Sequence, residues 1–265
     1  VTLLRILLTG TAFFLFWTGG AILSWIVIPA ISVYHRRDPV LRARRCREVV
    51  SLGFRWHIAY MQLCRLVAFS PREIQAQLPR TPFVLVANHP TLIDVVLLLA
   101  SYPSICCVVK GPLFRSPMVG RLLRQGNHID AGDGSAFDGA AVVQGAIDRL
   151  RAGDPVLIFP EGTRSPEEGL GRFKAGAFVI ACRAQAPVIP VLIKVSPRGL
   201  MKGMPWYTVP DGTMRFTMSV QPAFDTARYD GKAKALQAET HALFERLIGP
   251  RPAVVDAVPE LVPAE

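Results

Sequence analysis

The sequence predicts a layered α/β domain preceded by a membrane-embedded helix pair. Three observations carry this. Residues 6–34 contain no Asp, Glu, Lys or Arg. A run of arginines follows directly. From about residue 71 onward, short β-rich runs alternate with helical ones, the pattern of a sheet flanked by helices. The 265 residues suffice for one domain with a sizeable core plus a small accessory region, and are short for two full domains. Hydrophobic residues make up 51% and charged residues 19%, which excludes disorder over most of the chain.

The uncharged run of residues 6–34 exceeds the roughly 20 residues needed to cross a bilayer core. A signal peptide would have a shorter apolar region and a small-residue cleavage site, whereas this run ends in Ile31, Ser32, Val33, Tyr34 and His35. Ile6 to Ile28 would measure about 35 Å as a helix. Pro29 is expected to kink or end it, with Trp17 and Trp25 as interfacial anchors. Next come Arg36, Arg37, Arg42, Arg44, Arg45, Arg47 and Arg55 against Asp38 and Glu48, half of the net charge of +10. Only Arg5 precedes the apolar run. The positive-inside rule therefore places the rest of the chain in the cytoplasm, at the inner (plasma) membrane.

Between residues 40 and 67, Val49, Leu52, Trp56, Tyr60, Leu63 and Val67 recur at roughly helical spacing. This predicts a second, amphipathic helix lying on the membrane or folding back as a hairpin, its arginines toward anionic headgroups. The pI of about 9.8 would also suit nucleic acid, but the clustering of charge beside an apolar helix argues against that partner.

The globular part is expected over residues 71–249, after a membrane-embedded region of 1–70 and before a disordered tail of 250–265 that holds four prolines. Buried strands are predicted at 83–87, 105–109, 156–159 and 188–193, with a weaker one at 214–220. Helices are predicted at 92–100, 116–124, 135–151, 174–185 and 232–247, the third capped by Ser135 or Asp133. The five cysteines are odd in number and form no CxxC, so neither a disulfide framework nor a zinc site reads out.

Two motifs carry chemistry. Asn88, His89, Pro90, Thr91, Leu92, Ile93 and Asp94 follow the first predicted strand. A carboxylate on the first turn of the next helix can accept a hydrogen bond from one nitrogen of His89 and leave the other as a base, which deprotonating a hydroxyl requires. The spacing alone is weak: five His and eleven Asp give a chance expectation of about 0.2 such pairs, and a structural histidine is then the plainer reading. The second motif, Phe159, Pro160, Glu161, Gly162, Thr163, Arg164 and Ser165, also follows a strand. A glycine turn, two hydroxyls and a guanidinium are an inventory for holding phosphate, although a solvated surface turn would use the same residues. Lys174, at the next helix start, adds a cation. No metal site, GxSxG, GxxxxGK[ST] or HExxH occurs.

Together these motifs resemble the 1-acylglycerol-3-phosphate acyltransferase family, the lysophospholipid and glycerolipid acyltransferases. Asn88, His89 and Asp94 match its first motif, 159–165 its third, and Val188 to Val191 its fourth. The resemblance covers about residues 71–200. It implies a glycerolipid-acyltransferase-type domain that moves a fatty acyl chain from acyl-ACP or acyl-CoA, as co-substrate, to a hydroxyl of a lysolipid acceptor among membrane lipids, with no cofactor. His89 is the implied base, Asp94 its orienting partner, and Glu161, Gly162, Thr163, Arg164 and Lys174 the implied acceptor site. Lysophosphatidate to phosphatidate is the family default. The second motif departs from it. Lys110, Pro117, Gly120 and residues 126–130 fit the frame, but Ala131 stands where the family usually carries Arg. That loss opens a non-phosphate acceptor, such as lyso-ornithine lipid. An inactive membrane-anchored binding protein is the alternative of another class. His128 lies inside the second motif; His35, His57 and His241 read as structural.

Overall fold

A computed structural model describes residues 2–133 and 136–249. The expected tail 250–265 and the cap at Ser135 lie outside the described residues. The chain opens with α1 (Thr2–Ile22), a π-turn (Leu23–Val27) and α2 (Ile28–Tyr34), which run on as one rod, Leu3–Tyr34. Pro29 therefore does not end the helix. It has no N–H and its ring displaces the carbonyl four residues back, and the π-turn directly before it absorbs both, with the Ile28 N–H bonded to the Leu23 oxygen. Only 17% of the rod's most apolar window is buried; Leu3, Leu4, Leu7, Phe14 and Ile26 face outward, as a bilayer-contacting helix requires.

Helix α3 (Pro39–Leu63) starts on Asp38, whose carboxylate accepts the Leu41 N–H at 2.9 Å. It is not simply a membrane-surface helix. Arg47 is buried, donating to Asp154 at 2.6 Å and to the Gly126 carbonyl at 3.0 Å. Arg55 donates to the Ala100 carbonyl at 2.9 Å, and Arg44 and Arg45 pair with Glu48. Arg47 and Arg55 therefore do not face headgroups as expected, because they dock the helix on the domain.

The remaining elements are β1 (Val67–Ala68), α4 (Pro71–Gln75), β2 (Val84–Ala87), α5 (Asp94–Ser101), β3 (Cys106–Val109), α6 (Gly111–Arg115), α7 (Gly120–Gln125), β4 (Ile129–Asp130), α8 (Ala136–Arg151), β5 (Val156–Ile158), α9 (Gly176–Ala184), β6 (Val188–Ser196), β7 (Met214–Val220), a 3₁₀ turn (Thr226–Tyr229) and α10 (Ala233–Ile248). The strands form one seven-stranded sheet in the order β1-β7-β6-β2-β5-β3-β4, parallel except for β6 against β7. Parallel strands joined by helices bury both faces. Alternation along β2 divides the core accordingly. Leu85 and Ala87 face a cluster shared with α3, α4 and α5, whereas Val84 and Val86 face one shared with α8, α9 and α10.

The expected boundary at residue 70 is crossed twice. Ile58 and Met61 of α3 belong to the sheet's own core, and β1 pairs with Met214 and Arg215 of β7. Two-residue strands such as β1 and β4 carry no periodicity, so the sequence did not announce them. Trp25 is likewise tied to the domain: its indole N–H donates to the Pro117 carbonyl at 3.0 Å, and the Arg121 guanidinium sits 4.8 Å from its ring centre.

Candidate active site

Central strand β2 ends at Ala87, between β5 and β6, and delivers residues 88–94 to the carboxyl end of the sheet. Asn88 continues the pairing with β6 through its side chain: its amide donates to the Ile193 carbonyl at 2.9 Å and accepts the Ile193 N–H at 2.7 Å. This fixes the exit angle of the chain and turns His89 outward.

Asp94 is fully buried at the start of α5. Its carboxylate accepts the Thr91 N–H at 2.7 Å and the Thr91 hydroxyl at 2.6 Å, and lies 2.8 Å from His89 Nδ1. A carboxylate that already takes two donors is an acceptor toward the imidazole. Nδ1 therefore carries the proton and Nε2 the lone pair. Among the described residues nothing hydrogen-bonds Nε2. The His89 ring stacks on Phe159, with centroids 4.2 Å apart, so the ring is held on its edge by Asp94 and on its face by an aromatic.

The 159–165 turn closes against this loop. Glu161 is buried and its oxygens are spoken for: Oε1 accepts from the Ser165 hydroxyl at 2.6 Å and the His89 N–H at 3.1 Å, and Oε2 accepts the Gly171 N–H at 2.8 Å. Ser165 N–H in turn donates to the His89 carbonyl at 2.7 Å. Glu161, expected at the acceptor, is thus turned inward as a brace between the two motifs. Arg164 also spends one nitrogen on protein, donating to the carbonyls of Leu200 and Met201 at 3.1 and 2.7 Å. Gly162 and Thr163 are exposed on the turn. Gly162 has φ +69°, and a Cβ there would meet Lys174 Nζ at 2.8 Å, so the ammonium lies directly on the turn.

Lys174, Gly162 and Phe159 line an open cleft of about 600 Å³ together with Lys110 and Ala131. Lys110 was legible only as part of a motif frame; the parallel pairing of β3 and β5 is what brings it into the cleft that Lys174 also lines. Thr91 and Phe159 were read as helix start and strand end, and their roles around His89 and Asp94 appear only in the fold. His128 does not line this cleft. It is buried, its Nδ1 accepting the Cys107 N–H at 3.0 Å, and burial pushes its pKa down to about 3. Burial likewise pushes the thiols of Cys106 and Cys107 up to about 12, which removes them as nucleophiles.

On the other side of His89 lie two apolar chambers of about 200 and 160 Å³ between α1, α3 and α5. Both touch Phe16, Trp17, His57, Val95, Val96 and Leu113. The larger begins at Leu92 and Ile93, between His89 and Asp94 in the chain.

A family model described as Acyltransferase matches residues 72–194. This segment is an acyltransferase-family domain. His89, Asp94, the 159–165 turn, Lys110, Ala131 and Lys174 all fall within it. A chloroplastic 1-acyl-sn-glycerol-3-phosphate acyltransferase of Brassica napus is 31% identical over 45% of this chain and 36% of that protein. The lyso-ornithine lipid O-acyltransferase of Pseudomonas aeruginosa is 32% identical over 55% of each. The chain thus spans about a third of the chloroplastic relative and about half of the bacterial one. The crystal structure of the 1-acyl-sn-glycerophosphate acyltransferase of Thermotoga maritima shares the fold, with TM-score 0.68 and 20% identity over 94% of this chain and 96% of that one.

Proposed function

We propose that this protein transfers a fatty acyl group from a thioester to the hydroxyl of a lysolipid, with the site at the cytoplasmic face of the inner membrane. The observation that carries the reading is the His89–Asp94 pair: Nε2 has no partner among the described residues, Phe159 under the ring lines the open cleft, and Leu92 and Ile93 line the larger apolar chamber. Nε2 takes the acceptor's hydroxyl proton, and the oxygen attacks the thioester carbonyl. The carbon–sulfur bond breaks, and the departing thiolate recovers the proton from Nε2. Asp94 acts as a positioning residue that fixes the tautomer and stabilises the transient imidazolium. No covalent acyl-enzyme is required. The chambers suit the acyl chain, being apolar and opening beside Leu92 and Ile93.

The acceptor headgroup belongs in the cleft with Lys110 and Lys174. One observation favours a headgroup without a phosphomonoester. Ala131 lines that cleft where the family usually has Arg, and the arginines of the second motif are engaged: Arg121 on Trp25, Arg124 on the Phe114 carbonyl, and Arg115 on Asp133 at the cleft's edge. The lyso-ornithine relative fits this second reading. The test is thioester consumption by the purified full chain with lysophosphatidate and with lyso-ornithine lipid, side by side. Consumption that depends on neither acceptor overturns the proposal.

A further inference from the structure

A second polar groove, of about 400 Å³, opens on the other side of β2, over β6 and β7. Its floor follows from strand register. Lys194 faces Thr217 and Ser196 faces Arg215 across the antiparallel pair, so all four side chains project from one face of the sheet. Arg198 joins them, its guanidinium reaching the Glu167 carbonyl. Glu167 is the one acidic residue among the described lining residues. The side chains of Lys194 and Arg215 make no hydrogen bond or ion pair with any described residue. Like charges placed diagonally on one sheet face repel, and an anion between them relieves the cost.

The groove begins at Asn88, Pro90 and Ser165, on either side of His89 in the chain and at the end of the adjoining turn. It is separated from the larger apolar chamber by a single loop: Met201 lines the groove and Leu200 lines the chamber. That loop is pinned by Arg164 and by the Leu92 N–H, which donates to the Leu200 carbonyl at 3.0 Å.

We propose that this groove takes the phosphate-bearing pantetheine arm of the thioester donor. The inference rests on the acyl-transfer reading above. Two substrates must meet at His89, and the Lys110–Lys174 cleft holds one of them. A donor straddling the 200–201 loop places its acyl chain in the chamber, its thioester at His89 and its anionic arm over Lys194 and Arg215. The phosphate of the arm is common to acyl-CoA and acyl carrier protein, so both donors are predicted to use the groove.

The experiment uses the full chain in detergent with Lys194→Ala/Arg215→Ala, and with Arg215→Lys as the conservative variant. KM is measured for palmitoyl-CoA, for palmitoyl carrier protein and for the lysolipid, together with direct binding of an unreactive thioether analogue of palmitoyl-CoA. The double variant is expected to raise both donor KM values, and the analogue's Kd, by about tenfold or more, with Arg215→Lys restoring much of the loss. The lysolipid KM is expected to stay within about twofold. Unchanged donor KM values, a rise on one donor only, or a rise in lysolipid KM instead would overturn the proposal. Wild type that binds the analogue yet transfers nothing would instead defeat the acyl-transfer reading.

Discussion

The two loops that meet at His89 are built from similar residues and use them in opposite ways. In the 88–94 loop the acid, Asp94, engages one nitrogen of the imidazole and leaves the other without a partner among the described residues. In the 159–165 turn the acid, Glu161, points away from the cleft and spends its oxygens on Ser165, His89 N–H and Gly171 N–H. A carboxylate in a motif is therefore not evidence of contact with substrate. On the proposed function the first loop sets chemistry, and the second braces the first. Substitutions that separate rate from stability test that division.

The largest effect is expected at His89. His89→Ala should lower turnover by about 100- to 10,000-fold, the usual worth of a general base, with the melting temperature little changed because the ring is partly exposed. Asp94→Asn should also be severe, because an amide no longer selects the tautomer with a free Nε2. Near-normal turnover in either purified variant would break the assignment of the first loop.

Glu161→Ala sharpens the other half of the comparison. It leaves the Ser165 hydroxyl and the Gly171 N–H without their acceptor and the His89 N–H with Ser165 Oγ alone, at about 1–3 kcal/mol for each buried group left unpaired. The expected signature is a lowered unfolding midpoint, with turnover falling in proportion to folded protein. A stable Glu161→Ala that raises only the acceptor KM would return Glu161 to the acceptor site.

Much of this division was legible beforehand, and the rest was not, for identifiable reasons. The order of strands and helices and the outward helix at 6–34 follow from periodicity, which the sequence displays, whereas the His89–Asp94 pair, weak by spacing alone, was carried by the resemblance of its motif. The inward turn of Glu161, the placing of Lys110 and Lys174 in one cleft and the burial of Arg47 depend on which strands become neighbours. Such neighbours come from distant parts of the chain: Asp154, the partner of Arg47, lies 107 residues away. The arginine run shows the limit most clearly, since composition alone cannot tell a cation that faces headgroups from one that docks a helix.

The next effect in size concerns the acceptor cleft. Ala131→Arg should improve use of a phosphomonoester lysolipid by about tenfold or more, the worth of one charge-assisted hydrogen bond, and leave lyso-ornithine lipid unimproved. The reading is the ratio of kcat/KM for the two acceptors. Efficient use of lysophosphatidate by the wild type, with no gain in the variant, would show that Lys110 and Lys174 suffice and that the second reading of the acceptor is wrong.

The smallest effect lies outside both loops, at a histidine that the motif frame placed near the site. His128 is held neutral by burial, with its pKa pushed down to about 3 from an ordinary value of 6.5. In the unfolded chain it binds a proton below that ordinary value, while in the folded protein it does not. The unfolded state then carries more protons, and stability from this group is lost as the pH falls below about 6.5. Between pH 7 and pH 5.5 the loss is about 1 kcal/mol. His128→Gln can keep an acceptor for the Cys107 N–H without a titrating ring. It should therefore flatten the fall of the unfolding midpoint over this range, while the pH profile of turnover stays where it was. A turnover profile that shifts with His128→Gln would place His128 in contact with the chemistry and contradict its position beneath the sheet's edge.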